Sequence, residues 1–230
     1  MPDITADGLN AHLATPPVGE GPWPGVVVLH ELFGLNDDIR SQAGRLASAG
    51  YLALAPDLYT RGGRLRCLQG TFRALMSGEG QAFADIETSR AWLEARPDCT
   101  GRVGVIGFCL GGGFALLTAA RGFDASAPNY GVLPKDLDGV LSGACPMVAS
   151  YGGKDRGMPG AAPKLEAALD RAGVVHDVKE YPEAGHSFFS RHSFGPFGPL
   201  IRVAGVGYHG PSAEDGWERI LRFFDNQLRA

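Results

Sequence analysis

Three short segments of the chain carry residues that could do nucleophilic chemistry together. The apolar run Val103-Gly104-Val105-Ile106 passes into Gly107-Phe108-Cys109-Leu110-Gly111, and an apolar helical stretch starts near Leu110. A strand, sharp turn and helix in that order form a nucleophile elbow, whose flanking glycines permit a tight turn and a close backbone approach. Serine is the usual occupant of the turn; here it is cysteine. A thiol attacks only as its thiolate, so Cys109 needs a base, and the base needs a third group to orient it. His186 is the best candidate base, lifted past strand 174–181 by Pro182-Glu183-Ala184-Gly185. Asp155 is the best orienting group, carried past strand 145–151 by Gly152-Gly153-Lys154. Singly, each has an ordinary reading: a packed thiol, a turn aspartate, a loop histidine. Placed together at three strand ends, they point to covalent catalysis.

The elements that must hold these residues alternate along the chain. A continuous apolar run at 25–30 predicts a strand buried on both faces, and further strands are expected at 51–55, 102–107, 126–130, 145–151 and 174–181. Helical patterns follow Asp37 or Asp38, either of which can cap a helix closed by Gly50, and recur at 81–95, 110–120, 161–172 and 217–228. The pattern predicts one α/β domain over residues 1–230, with a doubly wound, mostly parallel sheet and helices on both faces. Ligands bind such sheets at the carboxyl ends of the strands, where the three residues fall. The order nucleophile, Asp, His is that of α/β-hydrolases and differs from the chymotrypsin-like and subtilisin-like orders. Residues 190–212 form a long irregular segment rich in Gly, Pro and aromatic side chains, expected as a wall or lid over or beside the site.

Bulk properties exclude several classes. At 230 residues, 44% hydrophobic and 20% charged, the composition is that of an ordinary globular protein, not of a disordered chain, a collagen or a coiled coil. A formal charge of -4 gives no reason to expect nucleic acid or an anionic membrane as partner. The start, Met1-Pro2-Asp3-Ile4, lacks the basic and apolar regions of a signal peptide, and no apolar stretch is long enough to span a bilayer. A cytoplasmic enzyme, monomeric or a small homo-oligomer, is expected. Cys67, Cys99 and Cys145 show no paired or metal-ligand spacing, so no metal or cofactor is expected.

The same residues carry a resemblance. The segments His30-Glu31-Leu32-Phe33-Gly34-Leu35-Asn36, Ala55-Pro56-Asp57-Leu58-Tyr59, Gly104 to Gly112 with Cys109 at its centre, Asn129-Tyr130-Gly131, Gly152 to Asp155 and Glu183 to Phe188 resemble the dienelactone hydrolase family of α/β-hydrolases. The cysteine elbow together with Glu-Leu-Phe-Gly is the specific part. The resemblance implies a Cys109–His186–Asp155 triad. It also implies that Glu31 meets the resting thiol and takes its proton when substrate displaces it. A carboxylate beside a thiol disfavours a standing thiolate, in keeping with that role. His30 is read as structural. The elbow geometry makes the Leu110 amide an oxyanion donor, and the resemblance adds the Leu32 amide.

Family members that cleave dienelactones hold the substrate carboxylate with arginines. Here Arg191 comes one place later after His186 than the family spacing, and Arg61, Arg64, Arg66 and Arg73 all lie where a second arginine is expected. Arg61, Arg73, Tyr130 and Arg191 are the candidate substrate contacts. The resulting expectation is a cofactor-free cysteine hydrolase of an activated ester or lactone, working through a thioester. The alternatives are a broad carboxylesterase acting on neutral esters and a non-hydrolytic relative whose thiol only binds ligands or is modified.

Overall fold

The computed structural model describes residues 3–62, 64–191 and 206–229. One eight-stranded sheet runs through it: β1 (Asp3–Ala6), β2 (Leu9–Ala14), β3 (Trp23–Leu29), β4 (Leu52–Pro56), β5 (Cys99–Phe108), β6 (Ala125–Asn129), β7 (Met147–Gly152) and β8 (His176–Tyr181). Their spatial order is β1-β2-β4-β3-β5-β6-β7-β8. Strands β3 to β8 are parallel, and β1 and β2 pair antiparallel at the β4 edge. This is the mostly parallel, doubly wound sheet that the alternating pattern predicts. The β1–β2 hairpin was not expected, because its short half-polar strands look like an ordinary N-terminal loop.

The helices are α1 (Asp37–Ser48), α2 (Arg64–Ser77), α3 (Gln81–Glu94), α4 (Leu110–Thr118), α5 (Leu137–Leu141), α6 (Ala161–Ala172) and α7 (Gly210–Leu228). Alternate residues of each inner strand serve opposite cores, which explains the continuous apolar runs. Val26, Val28, Ile106 and Phe108 pack with Ile39 and Leu46 of α1 and Trp217, Ile220 and Phe224 of α7. Val27, Leu29, Val103 and Val105 pack on the other face with Leu75 of α2, Phe83 and Ile86 of α3, and Phe114 of α4. Helix α6 covers β7 and β8 on that second face, with Leu165 and Leu169 against Leu116 of α4.

Three local readings are corrected. The cap of α1 is Asn36, whose Oδ1 accepts from the Ile39 amide at 3.0 Å, and Asp37 and Asp38 occupy the first turn instead. The last helix begins at Gly210 with Pro211 in its first turn, seven residues before 217. Segment 64–77, which the alternating pattern leaves unassigned, is a helix. The loop 190–212 falls largely on 192–205, outside the described residues. Among the described residues, no helix is long and apolar enough to cross a membrane.

The topology also fixes where a site can form. After β4 the chain crosses back over β3 to lay down β5, so the strand order reverses between β3 and β5. Loops leave the carboxyl ends of these two neighbours toward opposite faces, which opens a crevice there. The elbow closes its floor: a Cβ at Gly111 would sit 2.8 Å from the His30 carbonyl oxygen and nearer still to that of Leu29. We expect Gly111→Ala to push the β3 end away from α4 and lower the melting temperature by several degrees, measured by thermal unfolding. An unchanged melting temperature would show that the approach is not rigid.

Candidate active site

Cys109 stands between β5 and α4 with φ 53° and ψ -111°, a conformation that non-glycine residues rarely hold and that here lifts the side chain off the sheet edge. Its amide donates to the Asn129 carbonyl of β6 at 3.1 Å, and its carbonyl accepts from Gly113 at 3.1 Å, so the turn is pinned on both sides. Leu110 opens α4 directly behind it. The unpaired amides and positive dipole end of that first turn therefore face the space beside the sulfur.

Cys109, His186 and Asp155 come together from three separate strand ends. The Sγ of Cys109 lies 3.1 Å from Nε2 of His186, and Nδ1 of His186 lies 2.6 Å from Oδ2 of Asp155. The other Asp155 oxygen accepts from the Gly157 amide at 2.9 Å, which fixes the carboxylate plane. Burial disfavours a charged imidazole at His186. The hydrogen bonds and charges of Asp155 and Cys109 outweigh it and raise the ring to about 10. Burial likewise works against the Asp155 carboxylate, but the His186 contact and the Gly157 amide hold it below its ordinary range. The arrangement can pass a proton between sulfur and Nε2. Burial pushes the Cys145 thiol up to about 12 and the Cys99 thiol upward as well, which makes both poor nucleophiles.

Glu31 is buried at the end of β3, and its Oε1 accepts from the Ser190 hydroxyl at 2.8 Å. The Ser190 oxygen lies 3.4 Å from the Tyr130 hydroxyl. Tyr130 is fully buried, with its ring 5.2 Å from the His186 ring, so it backs the imidazole from inside the molecule. Ser190 is the residue that sequence reasoning passed over. The signal was its position: it occupies the place where the family spacing put an arginine. His30 is buried too; its Nε2 takes the Leu58 amide at 3.1 Å, so Nδ1 carries the proton and donates to the Glu31 carbonyl at 2.7 Å. That bond ties the end of β3 to the end of β4 and holds the loop that bears Leu32. Leu32 itself is part-exposed, and its carbonyl accepts from the Tyr59 hydroxyl at 3.1 Å.

The candidate arginines lie elsewhere. Arg61 pairs with Asp85 of α3 at 3.2 Å and, with Arg73, lines a cleft of about 360 Å³ between α2 and α3. Arg191 extends over the Tyr208 ring, donates to its hydroxyl at 2.6 Å and reaches Glu214 of α7 at 3.5 Å. The side chains of Arg64 and Arg66 are outside the described residues. Among the described residues, no group of His, Cys, Asp and Glu is placed to hold a metal ion.

Comparison with known proteins gives a consistent picture. The model of the dienelactone hydrolase family matches residues 9–228. A "Carboxymethylenebutenolidase" of Pseudomonas putida is 34% identical over 187 residues, covering 76% of this chain and 79% of that protein. A "Putative carboxymethylenebutenolidase" of Escherichia coli strain K12 is 32% identical over 236 residues, covering 95% and 82%. A crystal structure described as a "Putative Dienelactone Hydrolase" from Klebsiella pneumoniae subsp. pneumoniae MGH 78578 superposes with a TM-score of 0.77 at 32% identity, covering 96% and 95%.

Proposed function

Because the chain belongs to the dienelactone hydrolase family and is a hydrolase of ester or lactone bonds, we propose that it cleaves its substrate through a thioester on Cys109. The observation that carries this reading is the unbroken line from Sγ of Cys109 to Nε2 of His186 at 3.1 Å and from Nδ1 to Asp155 at 2.6 Å. Sulfur, having given its proton to Nε2, attacks the substrate carbonyl. The negative oxygen of the tetrahedral intermediate is met by the amides of Leu110 and Leu32, each such donor contributing about 3 kcal/mol in the transition state. The intermediate collapses, the bond to the alcohol oxygen breaks, and Nε2–H protonates the departing alkoxide. Water then gives a proton to Nε2 and attacks the thioester; the acid leaves and the thiol regains its proton.

Glu31, held by the Ser190 hydroxyl at 2.8 Å, places a second carboxylate at the end of β3, while the thiol proton goes to Nε2 of His186 as above. Tyr130 supports the imidazole by packing. With Arg61 paired to Asp85 and Arg191 to Tyr208 and Glu214, the contacts favour a neutral ester or lactone over one bearing a carboxylate.

The intermediate offers a direct test. Acid quenching during turnover of a p-nitrophenyl ester, followed by peptide mapping, is expected to find the acyl group on the peptide containing Cys109. Acylation of another residue, or burst kinetics with an unmodified Cys109, would overturn the covalent route.

A further inference from the structure

Large apolar side chains left on the surface are not scattered evenly around this molecule. Among the described residues eight are exposed: Val18, Leu32, Phe33, Phe72, Met76, Val132, Val175 and Tyr208. Five of them, Leu32, Phe33, Phe72, Met76 and Val132, sit on three segments that converge on the first turn of α4. Leu32 and Phe33 follow His30, whose carbonyl lies against Gly111. Leu75, between Phe72 and Met76 on α2, comes within 2.9 Å of where a Cβ would stand on Gly113. Gly131, just before Val132, packs its backbone on Gly112 and Gly113. Single exposed apolar residues need no explanation, whereas five on segments that pack against the same helix start do.

Between the end of α2, the flank of α4 and the loop from β6 to α5 lies a cleft of about 510 Å³, lined by Leu75, Met76, Leu117, Val132, Leu133 and Val140 among others. Its charged members, Lys135 and Asp136, are exposed. Its inner wall reaches the back of the elbow: Leu75 packs against Gly113, whose amide bonds to the Cys109 carbonyl at 3.1 Å. From there it follows α4 to Leu117, two helical turns past Leu110 and roughly 10 Å along the axis. The volume is that of a small-molecule site.

The two halves of an ester must leave Cys109 in different directions. The alcohol oxygen must point at Nε2 of His186 to receive its proton. The turn that carries His186 continues into Phe188 and Phe189, which pack with α1 and α7 on one face of the sheet. The cleft lies on the opposite face, beside α2 and α4, and only the acyl group stays tethered to sulfur. We propose that this cleft is the acyl subsite and that it selects esters with an uncharged, unbranched alkyl chain; this rests on the hydrolase reading above.

The test is kcat/KM for p-nitrophenyl acetate, butyrate, hexanoate and octanoate, each below its micellar concentration. We expect a rise of about fourfold for each methylene that enters the cleft. Met76 and Val132 are 68% and 45% exposed, so changing them leaves the core intact. Val132→Asp and Met76→Glu are expected to flatten the rise, cutting the octanoate-to-acetate ratio at least tenfold. Val175→Asp, at the opposite end of the sheet before β8, should leave that ratio as it is. A wild-type profile that is flat or falls with chain length, or Val132→Asp and Met76→Glu variants that keep the wild-type slope, would overturn the subsite. Failure of the Cys109 thioester reading looks different: Cys109→Ala would then still turn over every ester in the series.

Discussion

Cys109→Ala is expected to lower kcat for p-nitrophenyl acetate by at least about 10⁴-fold while the melting temperature stays near that of the wild type. The magnitude follows from the way triads work as a unit: removing the nucleophile alone costs nearly as much as removing all three members. What remains is the oxyanion donors and binding, which a methyl side chain does not disturb. The fold should tolerate the change, since Cys109 is half-buried at the sheet edge and its turn is held by backbone bonds to Asn129 and Gly113. Retention of more than about a tenth of the wild-type rate would remove Cys109 from the mechanism. Cys109→Ser gives a sharper result. A hydroxyl is a far weaker acid than a thiol, and Glu31 does not supply the environment of a serine esterase, so a poor enzyme is expected. Iodoacetamide labelling followed by peptide mapping separates Cys109 from Cys67, and burial pushes the Cys99 and Cys145 thiols up and slows their alkylation.

Asp155→Asn is expected to lower kcat by about 10³- to 10⁴-fold, through His186 rather than through lost structure. The amide cannot favour the imidazolium as a carboxylate 2.6 Å from Nδ1 does, and Nε2 then lacks the proton that the leaving alkoxide needs. The His186 ring, raised to about 10 in the wild type, should fall toward its ordinary 6.5, visible in the NMR titration of the ring. The same shift predicts a stability signature. A folded-state value above the unfolded one stabilises the fold fully below pH 6.5, and this contribution disappears as pH rises toward 10. Asp155 is held below 3.8, so its contribution is present above that pH and disappears as pH falls through the lowered value. The melting-temperature gap between wild type and Asp155→Asn should therefore be widest from about pH 4 to 6.5 and narrow as the solution becomes alkaline. A gap independent of pH would mean that Asp155 acts only by shape.

The parts of this architecture that were legible in the sequence share a physical cause. Strands buried on both faces carry few polar side chains, so the inner parts of β3 and β5 appear as apolar runs. Helix α6 was readable because Gly173, with φ 65°, ends it in a conformation that glycine favours. The β1–β2 hairpin left no comparable trace, since an edge hairpin buries only part of each strand. Cys109, His186 and Asp155 were recognisable because each follows a strand by a short turn.

Ser190 shows the opposite case. Nothing local distinguishes it, and its meaning comes from a partner 159 positions away in the chain. The same holds for the arginines: all five candidates could be counted in the sequence, but the pairing of Arg61 with Asp85 and of Arg191 with Glu214 depends on how α3 and α7 dock. Alone, the sequence pointed to Cys109, His186 and Asp155 and to the sheet that presents them, because local turn chemistry and hydrophobic periodicity encode these. Tertiary structure decided which carboxylate meets which hydroxyl, where the cations point and where an apolar cleft opens. Those outcomes depend on distances between segments far apart in the chain, which no local pattern records.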